Sequence, residues 1–329
     1  MSRSVRIHQF GDADVLQIED VEIGQPGSGE VRLRIHAIGL NRTEVTLRSG
    51  RSPVRPAFPT AIGFEAAGVI EAVGPDVSGA SVGDRVALVP AYGAGQYGLY
   101  GEVSLAPARS LTPIPEGVSF SEAAATWVAF GTAWGGLAFV GALRAGQTVL
   151  ISAASSSVGL AAIQVANRLG ARPMALTRTS AKAKALLDHG AAAVIATAEQ
   201  DVLAEVKLLT GGEGADLVFD PVGGPQFEIL AKSAAAGGML VLYGALDTQP
   251  TVVPPFDIFA RDLTIRGLAL PALTRDDGKL AALKSFVSAG LADGALRPTI
   301  ARTFPFDQIA DAHRYIEAGE QVGKIVVTV

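Results

Sequence analysis

Val149-Leu-Ile-Ser-Ala-Ala-Ser-Ser-Ser-Val-Gly159 begins as an apolar strand, turns through alanine and serine, and leads into the amphipathic run Leu160 to Leu169, which stops at Gly170. A strand, a small-residue turn and a helix in this order make the first βα step of a doubly wound sheet. Free backbone N–H groups and the helix dipole favour a phosphate at such a helix start. The dinucleotide fingerprint has glycine where Ala154 and Ser156 stand, and keeps it here only at Gly159. Ser155, Ser156 and Ser157 offer hydroxyls to phosphate oxygens instead, with Val158 beside them. The same turn also suits a serine-rich connection in an α/β protein that binds nothing.

Working outward, strands are expected at 147–151, 173–177, 192–196, 216–220, 238–243 and 263–268, separated by helical or loop segments. Six such strands complete a doubly wound parallel sheet of the Rossmann type, and the fold class is α/β. The first third reads differently. Val31 to Ile38 is an extended run, Gly68 to Gly74 alternates and turns at Gly74-Pro75, and Gly83-Asp-Arg-Val86 opens another strand. Tyr92 to Gly101 is glycine-rich with three tyrosines, a loop near a site. Past Gly267 come helices near Asp276 to Ala289 and Phe306 to Ala318, then a strand from Lys324 to Val329 that returns to the first domain. The expected division is a β-rich substrate domain over 1–122 and 268–329, and a dinucleotide-binding domain over 123–267.

Composition narrows the chemistry. With 329 residues, 49% hydrophobic and 18% charged, the chain has large cores or a hidden interface. A net charge of −5 gives no electrostatic reason for a nucleic-acid partner. Cysteine is absent, which removes disulfides, thiolate nucleophiles and cysteine-bound zinc. Met1 to Asp20 carries scattered charge and no apolar h-region, so the cytoplasm is the expected location. Ala123 to Leu143 is uncharged and long enough to span a bilayer, but its four glycines and the globular pattern that follows make it buried core helices. His8, His36, His189 and His313 have no metal-binding spacing, and no Ser-His-Asp pattern accompanies the serines.

At the end of the second strand, where a carboxylate would hold the ribose of NAD, the sequence is Ala175-Leu-Thr-Arg-Thr-Ser-Ala-Lys182. Thr177, Arg178 and Lys182 suit a 2′-phosphate, and NADPH is the expected cofactor. As solvated helix-start residues they would look the same.

Several ordered motifs now converge. Asn41-Arg-Thr-Glu-Val-Thr-Leu-Arg-Ser-Gly50, Gly63-Phe-Glu-Ala-Ala-Gly-Val-Ile-Glu-Ala-Val-Gly74, Phe130-Gly-Thr-Ala-Trp134, Asp220-Pro-Val-Gly-Gly224 and Val322-Gly-Lys-Ile-Val-Val327 follow in the order of the medium-chain dehydrogenase/reductase superfamily. The chain resembles its zinc-independent quinone oxidoreductase branch, the zeta-crystallin-like proteins, over essentially its whole length. The resemblance implies a GroES-like substrate domain. It also implies departures: Asn41 stands where zinc-dependent relatives have cysteine, Phe64 where they have histidine, and a further cysteine would fall near Val128. No metal is therefore expected.

The resemblance further implies that Asn41 donates from its amide to a substrate carbonyl, although an asparagine here can also simply satisfy a turn. Thr46, Arg48, Phe64 and Tyr92 complete the catalytic candidates, with Arg48 alternatively fixing its loop. Thr46 and Thr197 each replace a tyrosine of the family pattern. Tyr92, Tyr97, Tyr100, Phe64, Phe130 and Trp127 are candidates for an apolar substrate wall, with Tyr100 read more readily as core. Cofactor contacts extend to Thr132, to Tyr243, Gly244, Ala245 and Leu268 at the later strand ends, and to Lys324. The implied function is NADPH-dependent hydride transfer to a quinone or α,β-unsaturated carbonyl. Enoyl-thioester or alkenal reduction, and NADPH binding without turnover, stay open beside it. The apolar edge strand 263–268 is expected to pair two subunits as a homodimer, with Leu263, Ile265 and Leu268 at or near the contact.

Overall fold

The computed structural model describes residues 1–93 and 95–329; Ala94, inside the glycine-rich segment 92–101, lies outside the described residues. The chain divides into two compact units, Met1–Val128 with Leu273–Ala292 and Arg297–Val329, and Ala129–Ala272 with Asp293–Leu296. The sequence alone put the first boundary at 122/123. The difference has a local cause: the helix Phe120–Ala124, capped by a reciprocal Ser119–Glu122 box, packs on the strands Glu30–Gly39 and Ala66–Val73 and so stays with the first unit.

The second unit is a six-stranded parallel sheet. Its order is Ala193–Ala196, Arg172–Thr177, Thr148–Ile151, Ala215–Asp220, Ala234–Leu242, Thr264–Gly267. The first strand in sequence therefore lies between the second and the fourth, as in a doubly wound fold. Thr148–Ile151 is buried throughout, because a central parallel strand is covered on both faces. Leu150, Met174, Leu176, Ile195, Val218 and Leu240 form its core.

The uncharged run 123–143 becomes short buried helices, Trp127–Trp134 followed by a π turn at Gly135–Val140. A Cβ at Gly136 would lie 2.2 Å from the Phe219 ring, so glycine is what lets this turn lie against the sheet. No helix among the described residues is long and apolar enough to cross a membrane.

In the first unit a seven-stranded sheet is built around Glu30–Gly39, beside a smaller sheet of Gln17–Val21, Ser2–Ile7 and Thr60–Ala61. The closing strand Lys324–Thr328 runs antiparallel to Glu30–Gly39, pairing Val326 with Gly39 and Val327 with Ile38. This register carries the expected return of the tail to the first domain, and it brings Lys324 back to the start of the chain. The helix Ile309–Ala318 buries Ile309, Ala312, His313 and Ile316, a spacing that defines one helical face, and ends at Gly319 in the left-handed region.

Candidate active site

In the second unit, the strand Thr148–Ile151 ends at a turn that launches the helix Ser157–Arg168. Ser156 is the N-cap, its Oγ accepting from Gly159 N at 3.1 Å, which leaves its O–H free to donate to a ligand. The left-handed residue of the turn is Ala153, with φ of 45°, rather than either position where the fingerprint has glycine. Ala154 is fully buried and donates its N–H to Leu176 O at 3.1 Å. Gly159 has no substitute here, since a Cβ would sit 2.5 Å from Ala154 O. Ser155, Ser157 and Val158 lie half-buried around the helix start.

At the end of the strand Arg172–Thr177, Thr177 is buried and Arg178 is exposed. Lys182 extends toward the serine turn, its Nζ donating to Ser155 Oγ at 3.4 Å. The residues fit a cofactor phosphate: a capped helix start, three serines and two cations share one end of the sheet. Sequence reasoning missed Glu199, whose carboxylate accepts from Ser180 N at 3.1 Å on the same surface.

The later strand ends give a tight turn. Asp220 Oδ1 accepts from Ser152 Oγ and from Val222 N, and Oδ2 accepts from Gly223 N at 2.9 Å. Tyr243 stacks on Phe219 with centroids 4.0 Å apart, and its buried hydroxyl has no partner. Gly244 approaches Pro221 O too closely for a side chain, Ala245 is exposed, Leu268 is half-buried with its N–H on Leu242 O, and Thr132 is buried.

In the first unit, Asn41 is the N-cap residue of the helix Arg42–Arg48, yet its side chain makes no capping bond. Instead Nδ2 points at Gly39 O (3.2 Å), Glu44 Oε1 (3.2 Å) and Glu65 Oε2 (3.4 Å), while Oδ1 accepts from Lys324 Nζ at 2.6 Å. The amide expected to reach for substrate is thus already bonded on both ends. Lys324, expected at the cofactor, is only 1% exposed and its ammonium also bonds Glu65 at 2.5 Å. The cause is the register of the closing strand, which sets Lys324 beside Gly39 and the buried carboxylate. Glu65 Oε1 in turn accepts from Val128 N at 2.9 Å.

Glu44 and Glu65 are functional candidates that sequence reasoning missed, both fully buried. The available signal was a carboxylate inside an otherwise apolar stretch at Gly63-Phe-Glu65, and another three residues after Asn41. Burial pushes the Glu44 carboxyl up to about 7, against the opposing pull of Lys324 and of the amides that bond it.

The remaining candidates hold other contacts. Arg48 is fully buried, donating to Gly11 O at 2.8 Å and pairing with Glu317, so it ties the end of its helix to the segment after the strand Ser2–Ile7 and to the helix Ile309–Ala318. Thr46 Oγ1 donates to Thr43 O, back into its own helix. Tyr92 is buried with its hydroxyl on Phe64 O at 3.2 Å, and burial raises it well above the usual phenol range. Phe64 packs half-buried against the core, and its N–H donates to Glu44. Trp127 and Phe130 are buried, and Tyr100 lies fully buried in the core, in keeping with its reading as core. Buried His313 meets Tyr100 Oη at 3.2 Å, with its pKa lowered to about 3 by burial and then by Arg48. Among the described residues no three His, Cys, Asp or Glu side chains gather as a metal site.

The zinc-binding dehydrogenase family model matches residues 157–286, and the alcohol dehydrogenase GroES-like domain model matches 27–116. A mouse protein named quinone oxidoreductase is 30% identical over 99% of this chain and 98% of its own. A solved NAD-dependent alcohol dehydrogenase is 32% identical with a TM-score of 0.90, covering 99% of both chains. The Escherichia coli quinone oxidoreductase solved with NADPH is 27% identical with a TM-score of 0.91, covering 99% of this chain and 100% of that one.

Proposed function

Because the chain belongs to the quinone oxidoreductase family of the medium-chain dehydrogenases/reductases, we propose that it is an NADPH-dependent, zinc-independent reductase of quinones or α,β-unsaturated carbonyls. Bound NADPH would supply the hydride. The observation that carries the reading is the Lys324 ammonium on Asn41 Oδ1 at 2.6 Å. A cation on the amide oxygen draws charge from the nitrogen and strengthens the N–H as a donor. The two N–H groups are spread over three acceptors at 3.2–3.4 Å, so one can be exchanged for an incoming carbonyl at small cost. That polarisation suits an electron-poor quinone or enone, which needs less help than an alcohol being oxidised through its alkoxide.

Arg178, Lys182 and the serine turn support the choice of NADPH. Zinc independence is supported by the chain having no cysteine and by Asn41 and Phe64 at the aligned ligand positions. A second reading, alcohol dehydrogenation with NAD, is favoured by the similarity to an enzyme of that description. The proposal extends to a cytoplasmic location and to a homodimer paired through the edge strand Thr264–Gly267.

The deciding experiment follows NADPH and NADH oxidation with a panel of quinones and enones, and NAD reduction with a panel of alcohols, before and after exhaustive chelation. Turnover with NADPH that survives chelation is expected. Activity confined to NAD with alcohols, or lost to chelator and restored by zinc, would reverse the assignment.

A further inference from the structure

Glu44 lies fully buried beside Asn41, yet only one of its carboxyl oxygens is used. Oε1 accepts from Asn41 Nδ2 and from Phe64 N, both at 3.2 Å, whereas Oε2 has no partner. The Lys324 ammonium is engaged with Glu65 at 2.5 Å and Asn41 at 2.6 Å. An ionised Glu44 would set a second carboxylate against one ammonium in a dry site, which the low dielectric penalises strongly. A neutral Glu44 is a weak acceptor for the Asn41 amide, and an ionised one is a strong acceptor, since charge roughly doubles the strength of such a bond.

Resting on the reading of Asn41 as the donor to the substrate carbonyl, we propose that Glu44 is a positioning residue that switches Asn41: neutral Glu44 yields an amide N–H to the substrate, and ionised Glu44 takes it back. The direction in pH follows from the carboxyl being pushed up to about 7 by burial. It is neutral below that value and ionised above it, so capture of the carbonyl weakens as pH rises through neutrality. The groups around it on every packed element are Lys324 on the closing strand, Glu65 before the strand Ala66–Val73, the Tyr92 and Tyr100 hydroxyls, and Arg48 on its own helix backed by Glu317 and His313. Both tyrosines are raised well above their usual range and His313 sits at about 3, so none of these three changes charge near neutrality.

The test measures kcat/KM with NADPH and menadione from pH 6 to 9 for the native protein, Glu44→Gln and Asn41→Ala. The native value should fall about tenfold per pH unit above roughly pH 7, and Glu44→Gln should be flat across that interval. A falling limb that persists in Glu44→Gln overturns the proposal. Infrared spectroscopy reads the same group without turnover. The native protein should show a protonated-carboxyl band at pH 6 that fades above neutrality and is missing from Glu44→Gln; its absence at pH 6 also overturns the proposal. Asn41→Ala separates the two levels. Unchanged kcat/KM there removes the carbonyl-donor reading and the switch with it, whereas a large loss there, with the limb intact in Glu44→Gln, removes the switch alone.

Discussion

Arg178 is exposed at the end of its strand, and Lys182 turns back toward Ser155, so two cations stand near the helix start that would hold the diphosphate. A charge-assisted bond to a 2′-phosphate contributes about 1–3 kcal/mol. Arg178→Ala should therefore weaken NADPH by roughly five- to 150-fold in direct binding, and leave NADH nearly unaffected. Equal loss for both cofactors would mean that Arg178 supports the fold rather than the phosphate. Glu199 opposes the same preference by placing a carboxylate on Ser180 N. Such residues mark the limit of legibility at this scale. Arg178 was readable because its position in a βα unit is fixed by local pattern. The Lys324–Asn41 contact joins residues 283 apart in sequence, and only the register of the closing strand brings them together. Lys324 read alone was a spare cation near a cofactor; beside Glu65 it is the counter-ion of a buried carboxylate.

The elements were legible where periodicity was strong. Five of the six parallel strands begin and end within one residue of their expected positions, because their apolar runs are short and sharply bounded, whereas Ala234–Leu242 begins four residues early, ahead of Gly237-Gly238. The phosphate turn was legible only in part. Its serine-for-glycine exchange was visible, but not that Ser156 acts as an N-cap or that the left-handed residue is Ala153. The cap separates two roles that one hydroxyl can hold. Ser156→Ala should cost about 1 kcal/mol of unfolding free energy and also weaken NADPH. Ser156→Asp should restore the cap, since aspartate accepts from Gly159 N as well as serine does, while its charge repels the diphosphate. Denaturant unfolding and cofactor titration read the two effects separately. If Ser156→Asp binds NADPH as tightly as the native protein, the phosphate is not at this helix start.

At the scale of the whole molecule, one edge of the six-stranded sheet, Thr264–Gly267, has no second partner strand among the described residues. Thr264–Gly267 pairs with Ala234–Leu242 on one side, and all four of its residues are exposed. Leu263, expected at the contact, is 8% exposed and belongs to the core, since its side chain turns in just before the strand begins. The apolar surface lies instead on Ile265, 38% exposed, and on Phe256 and Phe259, 76% and 68% exposed on the preceding helix Pro255–Ala260. Those two rings meet each other edge to face at 5.3 Å. An unpaired strand flanked by exposed aromatics invites further chains to add to it unless a self-complementary contact closes the edge. A two-fold pairing does close this edge, because each strand then covers the other. The expected solution mass is therefore that of a dimer. Ile265→Asp should shift the equilibrium toward monomer at micromolar concentration, and Ile265→Asp with Phe256→Asp should abolish the dimer while circular dichroism stays native. A native protein that sediments as a monomer, or a double variant that remains dimeric, would show that this edge is protected without a second copy.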